Sequence, residues 1–180
     1  MDVYSKTGRT GRDGVMKQEF VQAVEDTIHS VMREMHTAMP GKIINYDAGT
    51  VSVQPSLKYK TPDGKKLDYP VLSNVPVVIA CGGNSAVAFP IKPGDDCLVI
   101  IAEQAIDGWL ADADDDTELK YDLTNAICIP GLCKVPVEAQ EEANSMETIV
   151  IRCPPGAAVT VRGDLKVDGN IYCSGEIQGR

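Results

Sequence analysis

The sequence has 180 residues, enough for one large domain or two small ones. Its 17 lysines and arginines against 26 aspartates and glutamates give a net charge of -9, so attraction to nucleic acid or anionic lipid is not expected to drive binding. Aromatic residues make up only 5%, too few for a stacking platform along single-stranded nucleic acid. Apolar runs long enough for a membrane span and an apolar signal-peptide core are both missing, so synthesis in the cytosol without Sec-type export is expected.

Residues 1–40 are predicted to form a flexible arm followed by a helix. Glycine-rich residues 1–14 predict the arm. Over residues 15–38 the apolar positions are spaced three, four, three and four apart, the rhythm of a coiled-coil seam: Val21, Val24, Ile28, Val31 and Met35. Pro40 and Gly41 are expected to stop the helix. The helix could pair with its own copies, dock in a groove of another protein, or lie across the following domain. His29 and His36 lie off the seam and are predicted to be solvated, without a ligand role.

Residues 41–133 predict a small β-barrel, because short strand-like segments alternate with turn signals every ~8 to 12 residues. Turns are expected at residues 47–49 and 82–84, and a hairpin is expected between residues 57–60 and 66–69. Residues 75–81 are predicted to form one strand, with its proline at the start or on an edge. Residues 97–102 are the most apolar candidate strand, and residues 121–132 supply the last one.

An acidic segment follows the most apolar strand, with carboxylates at Asp112, Asp114, Asp115, Asp116 and Glu118. It lacks the central glycine of a calcium loop and has Leu123 where a bidentate glutamate should fall. A solvated acidic loop is therefore favoured over a calcium site. Trp109, the only tryptophan, is predicted to be a packing anchor rather than a ligand platform.

The six cysteines form no Cys-x-x-Cys pair and have no histidine near them, so zinc ligation fits poorly. Cys97, Cys153 and Cys173 occupy apolar positions of strand-like runs and are predicted to act as small hydrophobes. Cys128 and Cys133 could approach one another, although buried thiols are favoured. The sequence predicts no metal site, no cofactor and no catalytic residue.

Residues 134–147 predict a polar connector, and residues 148–180 predict a needle built by three chains. From Ala157 onward every odd position is apolar or glycine and nearly every even position is polar, which gives an extended chain one dry face. Glycines recur on that face every six residues, at 163, 169 and 175. A triple-stranded β-helix around one axis would bury the dry set, Val159, Val161, Leu165, Val167, Ile171, Cys173 and Ile177. The alternative is a few ordinary hairpins of a sandwich.

Four blocks in residues 41–132 resemble the N-terminal domain of phage membrane-piercing central spike proteins, a family that includes the baseplate-assembly-protein-V-like spikes of contractile tails. The blocks are Val75-Pro76-Val77; residues 89–101, reading Phe-Pro-Ile-Lys-Pro-Gly-Asp-Asp-Cys-Leu-Val-Ile-Ile; Asp107-Gly108-Trp109; and residues 122–132, reading Asp-Leu-Thr-Asn-Ala-Ile-Cys-Ile-Pro-Gly-Leu. The matching motif residues, with an expected structural role, are Val75, Pro76, Pro90, Gly94, Asp95, Trp109, Pro130 and Gly131.

The resemblance implies an OB-fold barrel that trimerises and seats the spike in the baseplate hub, followed by a β-helix needle. The implied role is structural, at the tip of a phage tail or tail-like bacteriocin assembled in the host cytoplasm. Its implied partners are two further copies, hub proteins and the target envelope, with a small tip-capping protein possible. Related spikes often end in an iron-binding His-x-His apex, which this sequence does not support because no histidine follows His36. An OB-fold module binding nucleic acid or carbohydrate is the alternative, and a wall hydrolase is disfavoured because no catalytic motif is present.

Overall fold

The first strand of the main sheet follows a long N-terminal helix after only three residues. We describe residues 10–61, 63–114 and 119–179 of a computed structural model, in which the chain divides into two units, Met1–Lys134 and Val135–Arg180. The helices are α1 Thr10–Glu34, α2 Asp107–Leu110 and α3 Glu138–Met146, with a 3-10 turn at Leu123–Asn125. The strands are β1 Ala38–Asp47, β2 Thr50–Pro55, β3 Lys58–Lys60, β4 Lys66–Asp68, β5 Leu72–Pro76, β6 Ala80–Gly82, β7 Ser85–Val87, β8 Asp96–Ile101 and β9 Ala126–Pro130.

Five strands form one curled antiparallel sheet in the order β5-β2-β1-β8-β9. The two edges of this sheet approach each other just after β5, where Val77 bridges Cys128 in parallel and the Val78 N–H donates to the Cys128 carbonyl at 2.8 Å. A five-stranded antiparallel sheet whose edges meet in this way is consistent with an OB-like fold. The predicted mainly β architecture with an N-terminal helix is thus confirmed, and the curled sheet agrees with the predicted OB-like fold.

The core of this barrel comes from the inward residues of the alternating strands. On β2 and β8 every second side chain is buried, as period two requires when one face of a strand meets a core. The buried apolar set is Met39, Ile43, Val51, Val53, Leu72, Val75, Cys97, Val99, Ile101, Ala126 and Cys128. The first unit therefore completes an apolar core without help from another chain.

Two tight turns connect neighbouring strands as the sequence predicts. Ala48 and Gly49 have φ of 46° and 96° between β1 and β2, and Gly83 and Asn84 have φ of 55° and 63° between β6 and β7. Positive φ at both central residues is the mark of a type I′ hairpin turn, which matches the twist of the strands. The predicted hairpin of residues 57–60 with 66–69 is also confirmed, since Lys58 pairs with Asp68 and Lys60 with Lys66.

Two predicted boundaries are wrong. The helix ends at Glu34, and the residues expected to stop it, Pro40 and Gly41, lie inside β1. There Pro40 is opposite Leu98 of β8. Pairing with a distant strand therefore makes Pro40 and Gly41 extended, although the local sequence predicts a helix end. Residues 75–81 are divided between the end of β5 and the start of β6, with the closing bridge at Val77 between them.

The second unit contains a short helix within the segment predicted to be a polar connector. Helix α3 begins after Val137 and ends at the left-handed Glu147, whose φ is 49°. Arg152 forms ion pairs with Glu138 and, at 3.9 Å, with Glu142, which holds residues beyond the helix against it. From Glu147 to Gly179 the described backbone contains turns and bends but no strand or helix.

Candidate assembly surfaces

The apolar seam of α1 faces solvent in the single chain. Val21, Val24, Ile28, Val31 and Met35 are between 40% and 55% exposed, and Phe20 and Met32 beside them are more exposed still. The third alternative for this helix, packing across the following domain, therefore does not describe the structure. On the opposite face, the Gln22 side-chain amide donates to the Asp26 carboxylate at 3.0 Å.

In the C-terminal run, as on α1, apolar side chains are exposed to solvent in the single chain. Exposed fractions in the predicted needle core range from 43% at Val167 to 76% at Ile177, and Cys173 is also exposed. The full set is Val159, Val161, Leu165, Val167, Ile171, Cys173 and Ile177, and the single chain leaves every one of them exposed. Gly163 and Gly169 have φ of 126° and 150°, a region that favours glycine, so the six-residue spacing places special backbone conformations at these two positions.

The motif residues Gly94 and Asp95 form a turn that docks on the first strand. Gly94 has φ of 97°, and the Lys92 N–H donates to the Asp95 carboxylate at 2.8 Å. The Gly94 N–H donates to the Ile43 carbonyl at 2.8 Å, and the Ile43 N–H donates to the Asp95 carbonyl at 2.9 Å. These bonds fall where the β1–β2 register shifts, between Ile43 and Asn45. The turn thus satisfies backbone groups at an irregular point of β1.

Pro130 and Gly131 lie next to this turn, at the end of β9. Pro130 is opposite Cys97, and the Gly131 N–H donates to the Asp96 carbonyl at 3.2 Å. The Asp96 carboxylate forms ion pairs with the ammonium groups of Lys42, at 3.1 Å, and Lys134, at 3.4 Å. Lys42, followed by Lys134, holds the pKa of Asp96 below its usual range. Two of the four motif blocks therefore meet at one end of the β8–β9 pair.

The remaining motif positions divide between the core and the surface. Val75 is buried, and Pro76 ends β5, which is an edge strand of the main sheet. Pro90 lines an apolar cleft of about 410 Å³ together with Tyr46, Val77, Ile79, Ala88, Phe89 and Ile91. Phe89 is 61% exposed, so this side of the barrel carries an uncovered aromatic ring.

Trp109 is not the packing anchor that the sequence predicts. Its residue is 72% exposed on the single turn of α2, and Leu110 beside it is 50% exposed. Gly108 is the buried residue of this turn. A lone tryptophan is usually placed in a core because of its size, but here the apolar ring remains available to a partner.

The cysteines separate into a buried pair and exposed thiols. Cys97 and Cys128 are fully buried and free, and the Cys97 thiol, together with burial, raises the pKa of Cys128 well above its usual range. Cys133 is exposed, so its predicted burial is wrong. Cys153 is partly buried, and Cys81 and Cys173 are exposed. Thiol reactivity is therefore a residue-specific probe of which surfaces become covered on assembly.

One cleft was missed by the sequence reasoning. It measures about 720 Å³ and lies between the end of α1 and the β3–β4 hairpin, lined in part by Arg33, Lys58 and Lys60. His36 packs edge-on against Tyr69 with ring centroids 5.5 Å apart, and Tyr59 lies 5.2 Å from Tyr69. His36 is thus beyond the helix and half-buried, not solvated as predicted. The two tyrosines flanking the predicted hairpin were the available signal.

Metal-binding clusters and membrane-spanning helices both leave recognisable geometry. The described residues contain no group of three or more histidine, cysteine or acidic side chains placed to hold a metal ion, although Asp115, Asp116 and Glu118 of the acidic segment lie outside them. No helix in the described part of the chain is long and apolar enough to cross a membrane.

Comparison with known families identifies a phage protein domain that spans the barrel. Residues 39–131 match the family model described as the phage protein Gp138 N-terminal domain, a segment that contains every strand of the barrel except the first residue of β1. A comparison with curated proteins finds no match. The matched segment covers the first three sequence blocks and the fourth as far as Gly131, and it indicates a structural component of a phage particle.

Proposed function

This chain belongs to the family of the phage protein Gp138 N-terminal domain, and from that premise we propose that it is the central spike at the tip of a contractile phage tail or tail-like bacteriocin. It sits in the baseplate hub as a homotrimer and is driven into the target cell envelope when the sheath contracts. Its partners are two further copies, hub proteins, the envelope and, at the far end, a possible tip-capping protein. No nucleic acid is bound.

The observation that carries this proposal is the alternating C-terminal run. Branched side chains that recur with strict period two are 43% to 76% exposed in one chain. Monomeric proteins rarely leave a long contiguous apolar surface uncovered. Three intertwined copies would bury the odd-numbered face at a common axis, with Gly163 and Gly169 at the corners.

The mechanical role follows from such an arrangement. A closed trimer of intertwined strands leaves few free strand edges, and a local opening must break contacts with two neighbours at once. Such resistance suits a part that transmits an axial push. The function requires no chemistry, so we propose that the chain is not an enzyme; digestion of peptidoglycan with turnover would overturn this point.

The test uses the chain's own cysteine. Cys173 belongs to the dry set, so in the full-length protein it should resist alkylation while the exposed Cys81 and Cys133 react. Light scattering should give the mass of three chains. A monomer in which Cys173 reacts as fast as Cys81 would eliminate the needle.

Substitutions on the two faces of the run provide the matched control. Val167→Asp or Ile171→Asp would place three carboxylates on a dry axis, which is costly, and should abolish both the trimeric needle and the protection of Cys173. Lys166→Asp or Tyr172→Asp, on the wet face, should leave both unchanged. Equal behaviour of the two pairs would show that the assigned register is wrong.

The alternative function, a binding module, is favoured by one observation. The cleft beside Tyr59 and Tyr69 combines two neighbouring aromatic rings, inclined at 48° to each other, with Lys58 and Lys60, which suits a sugar ring or a base. Filter binding at low salt with single-stranded oligonucleotides and soluble glycans, on the parent and on Tyr59→Ala, decides the matter. Binding that is lost in Tyr59→Ala would place this function ahead of the spike.

A further inference from the structure

Helix α1 carries a regular seam on its exposed face. Within the helix the seam residues are Val21, Val24, Ile28 and Val31, and their spacing of three, four and three assigns them to heptad positions a, d, a and d. Met35 continues the pattern one residue beyond the helix end. We propose that α1 is a second trimerisation element, in which three copies of the chain form a parallel three-helix coiled coil through these residues.

The side chains at the seam favour three helices over two. Two-stranded parallel coiled coils combine a β-branched residue at a with leucine at d, whereas isoleucine at both positions shifts the preference to three or more strands. All four seam residues of α1 are β-branched, including Val24 and Val31 at d. The helix therefore favours the stoichiometry proposed for the needle, and its partners are two further copies of this chain.

The width of the apolar face agrees with this number. Phe20 at position g and Met32 at position e flank the seam and are 70% and 63% exposed. A helix in a three-helix bundle touches two neighbours, so flanking positions are covered as well as the seam. The apolar residues of this face are between 40% and 70% exposed in the single chain, so burial against two further copies would remove a continuous apolar stripe from water.

The attachment of the helix to the barrel favours association of the three helices. The His36 N–H donates to the Tyr121 carbonyl at 3.1 Å, and the Ile101 N–H donates to the Thr37 carbonyl at 2.8 Å, which ties the residues after the helix to the barrel. Two heptads are marginal for a coiled coil of free peptides. When the needle already holds three chains together, their helices have a high effective concentration for one another. In this respect the inference rests on the proposed function.

The experiment compares Ile28→Asp with His29→Asp in the full chain. Both introduce the same residue into the middle of α1, but position 28 lies in the seam and position 29 on the polar face. Ile28→Asp should lose most of the far-ultraviolet helical signal that α1 contributes, whereas His29→Asp should keep it. Cys173 should stay protected in both, because the needle is unaffected. Val24→Asp should reproduce the effect of Ile28→Asp.

The outcomes separate this inference from the proposed function. If Ile28→Asp keeps the parent's helical signal and thermal midpoint while Cys173 stays protected, the coiled coil is wrong and the spike remains. If Cys173 reacts freely in the parent, the spike proposal fails. The coiled coil is then tested by the oligomeric state of Val167→Asp, in which the needle cannot contribute. A trimeric Val167→Asp that becomes monomeric when Ile28→Asp is added supports the coiled coil. A monomeric Val167→Asp with α1 still helical overturns it.

Discussion

Strand β2 and the C-terminal run have the same alternating pattern but different surroundings. On β2 the inward residues Val51 and Val53 are 2% and 0% exposed, because β1 and β5 lie on either side and the barrel closes over them. In the C-terminal run Val159 and Ile171 are 56% and 65% exposed. Period two therefore identifies the dry face of a strand but does not say whether the covering partner belongs to the same chain.

Glycine differs between the two regions in a related way. At Gly41 a side chain would place its Cβ 2.5 Å from Val53 Cγ1 and 3.2 Å from Val99 Cγ2, so the glycine there allows close packing within the chain. Gly163 and Gly169 have nothing within 4 Å and are instead set apart by their positive φ. The barrel glycine is explained by its neighbours, and the run glycines by the path of the backbone.

The largest effect is expected from truncating the barrel core. Ile43 is 1% exposed, and Ile43→Ala should lower the free energy of unfolding by about 2–5 kcal/mol, because the cavity would be only partly refilled. Urea unfolding measures this, with alkylation of the buried Cys97 as the probe of barrel opening. The matched Ile171→Ala should leave Cys97 protection unchanged while exposing Cys173. A barrel transition equally sensitive to both changes would contradict the separation of the two regions.

The next effect concerns the packing glycine. Gly41→Ala should destabilise the barrel by about 1–3 kcal/mol, because Val53 and Val99 must move to admit a methyl group. Gly82→Ala is the control, since a Cβ there meets nothing within 4 Å. Thermal unfolding by circular dichroism should give a lower midpoint for Gly41→Ala alone. Equal midpoints for the two variants would show that the space at Gly41 is not needed.

Much of the barrel could be predicted from its local signals. The turn at Gly83-Asn84 was predictable because glycine and asparagine tolerate left-handed φ, and Gly49 likewise marked the turn after β1, although Ala48 beside it also adopts a positive φ. Helix α3 was not predictable, because its residues lack apolar periodicity and its ion pairs come from Arg152, which lies beyond the helix. Pro40 was misjudged for the same reason: its pairing with β8 involves residues almost sixty positions away.

The apolar faces of the candidate surfaces could be predicted from residue spacing, but the exposed tryptophan and the tyrosine cleft could not. The exposed seam of α1 and the exposed C-terminal run follow directly from residue spacing. Trp109 was predicted to be a packing anchor because large aromatic residues usually pack within their own chain, and nothing local distinguishes a ring that contacts a partner from one that contacts its own chain. The cleft at Tyr59 and Tyr69 depends on where the end of α1 meets the hairpin, which no short pattern encodes.

A smaller effect is expected from a buried amide. Asn125 is 1% exposed, and its side-chain nitrogen donates to the Leu119 carbonyl at 3.0 Å. Asn125→Ala should cost about 0.5–1.5 kcal/mol, because the hydrogen bond from the buried Asn125 side chain is lost, while water can reach the half-exposed Leu119. Asn170→Ala, on the wet face of the C-terminal run, should change the unfolding midpoint in urea by much less. A comparable loss at position 170 would mean that the wet face is itself buried in the assembled protein.

The smallest effect is a pH dependence confined to the end of the barrel. The hydrogen bond and charge of Lys42, with Lys134, keep the pKa of Asp96 below its usual value in the folded protein. Such a group stabilises the fold above its unfolded pKa, near 3.9, and this contribution disappears as the pH falls through the lower folded pKa. A carboxyl NMR titration should therefore show Asp96 titrating below that value, and Lys42→Met should move it upward. Because Asp96 joins β1 through Lys42 to the last residue of the first unit, Lys134, the shift should depend on the barrel alone. It should survive Val167→Asp, which breaks the needle; loss of the shift in that variant would show that the barrel is not independent of the run that follows it.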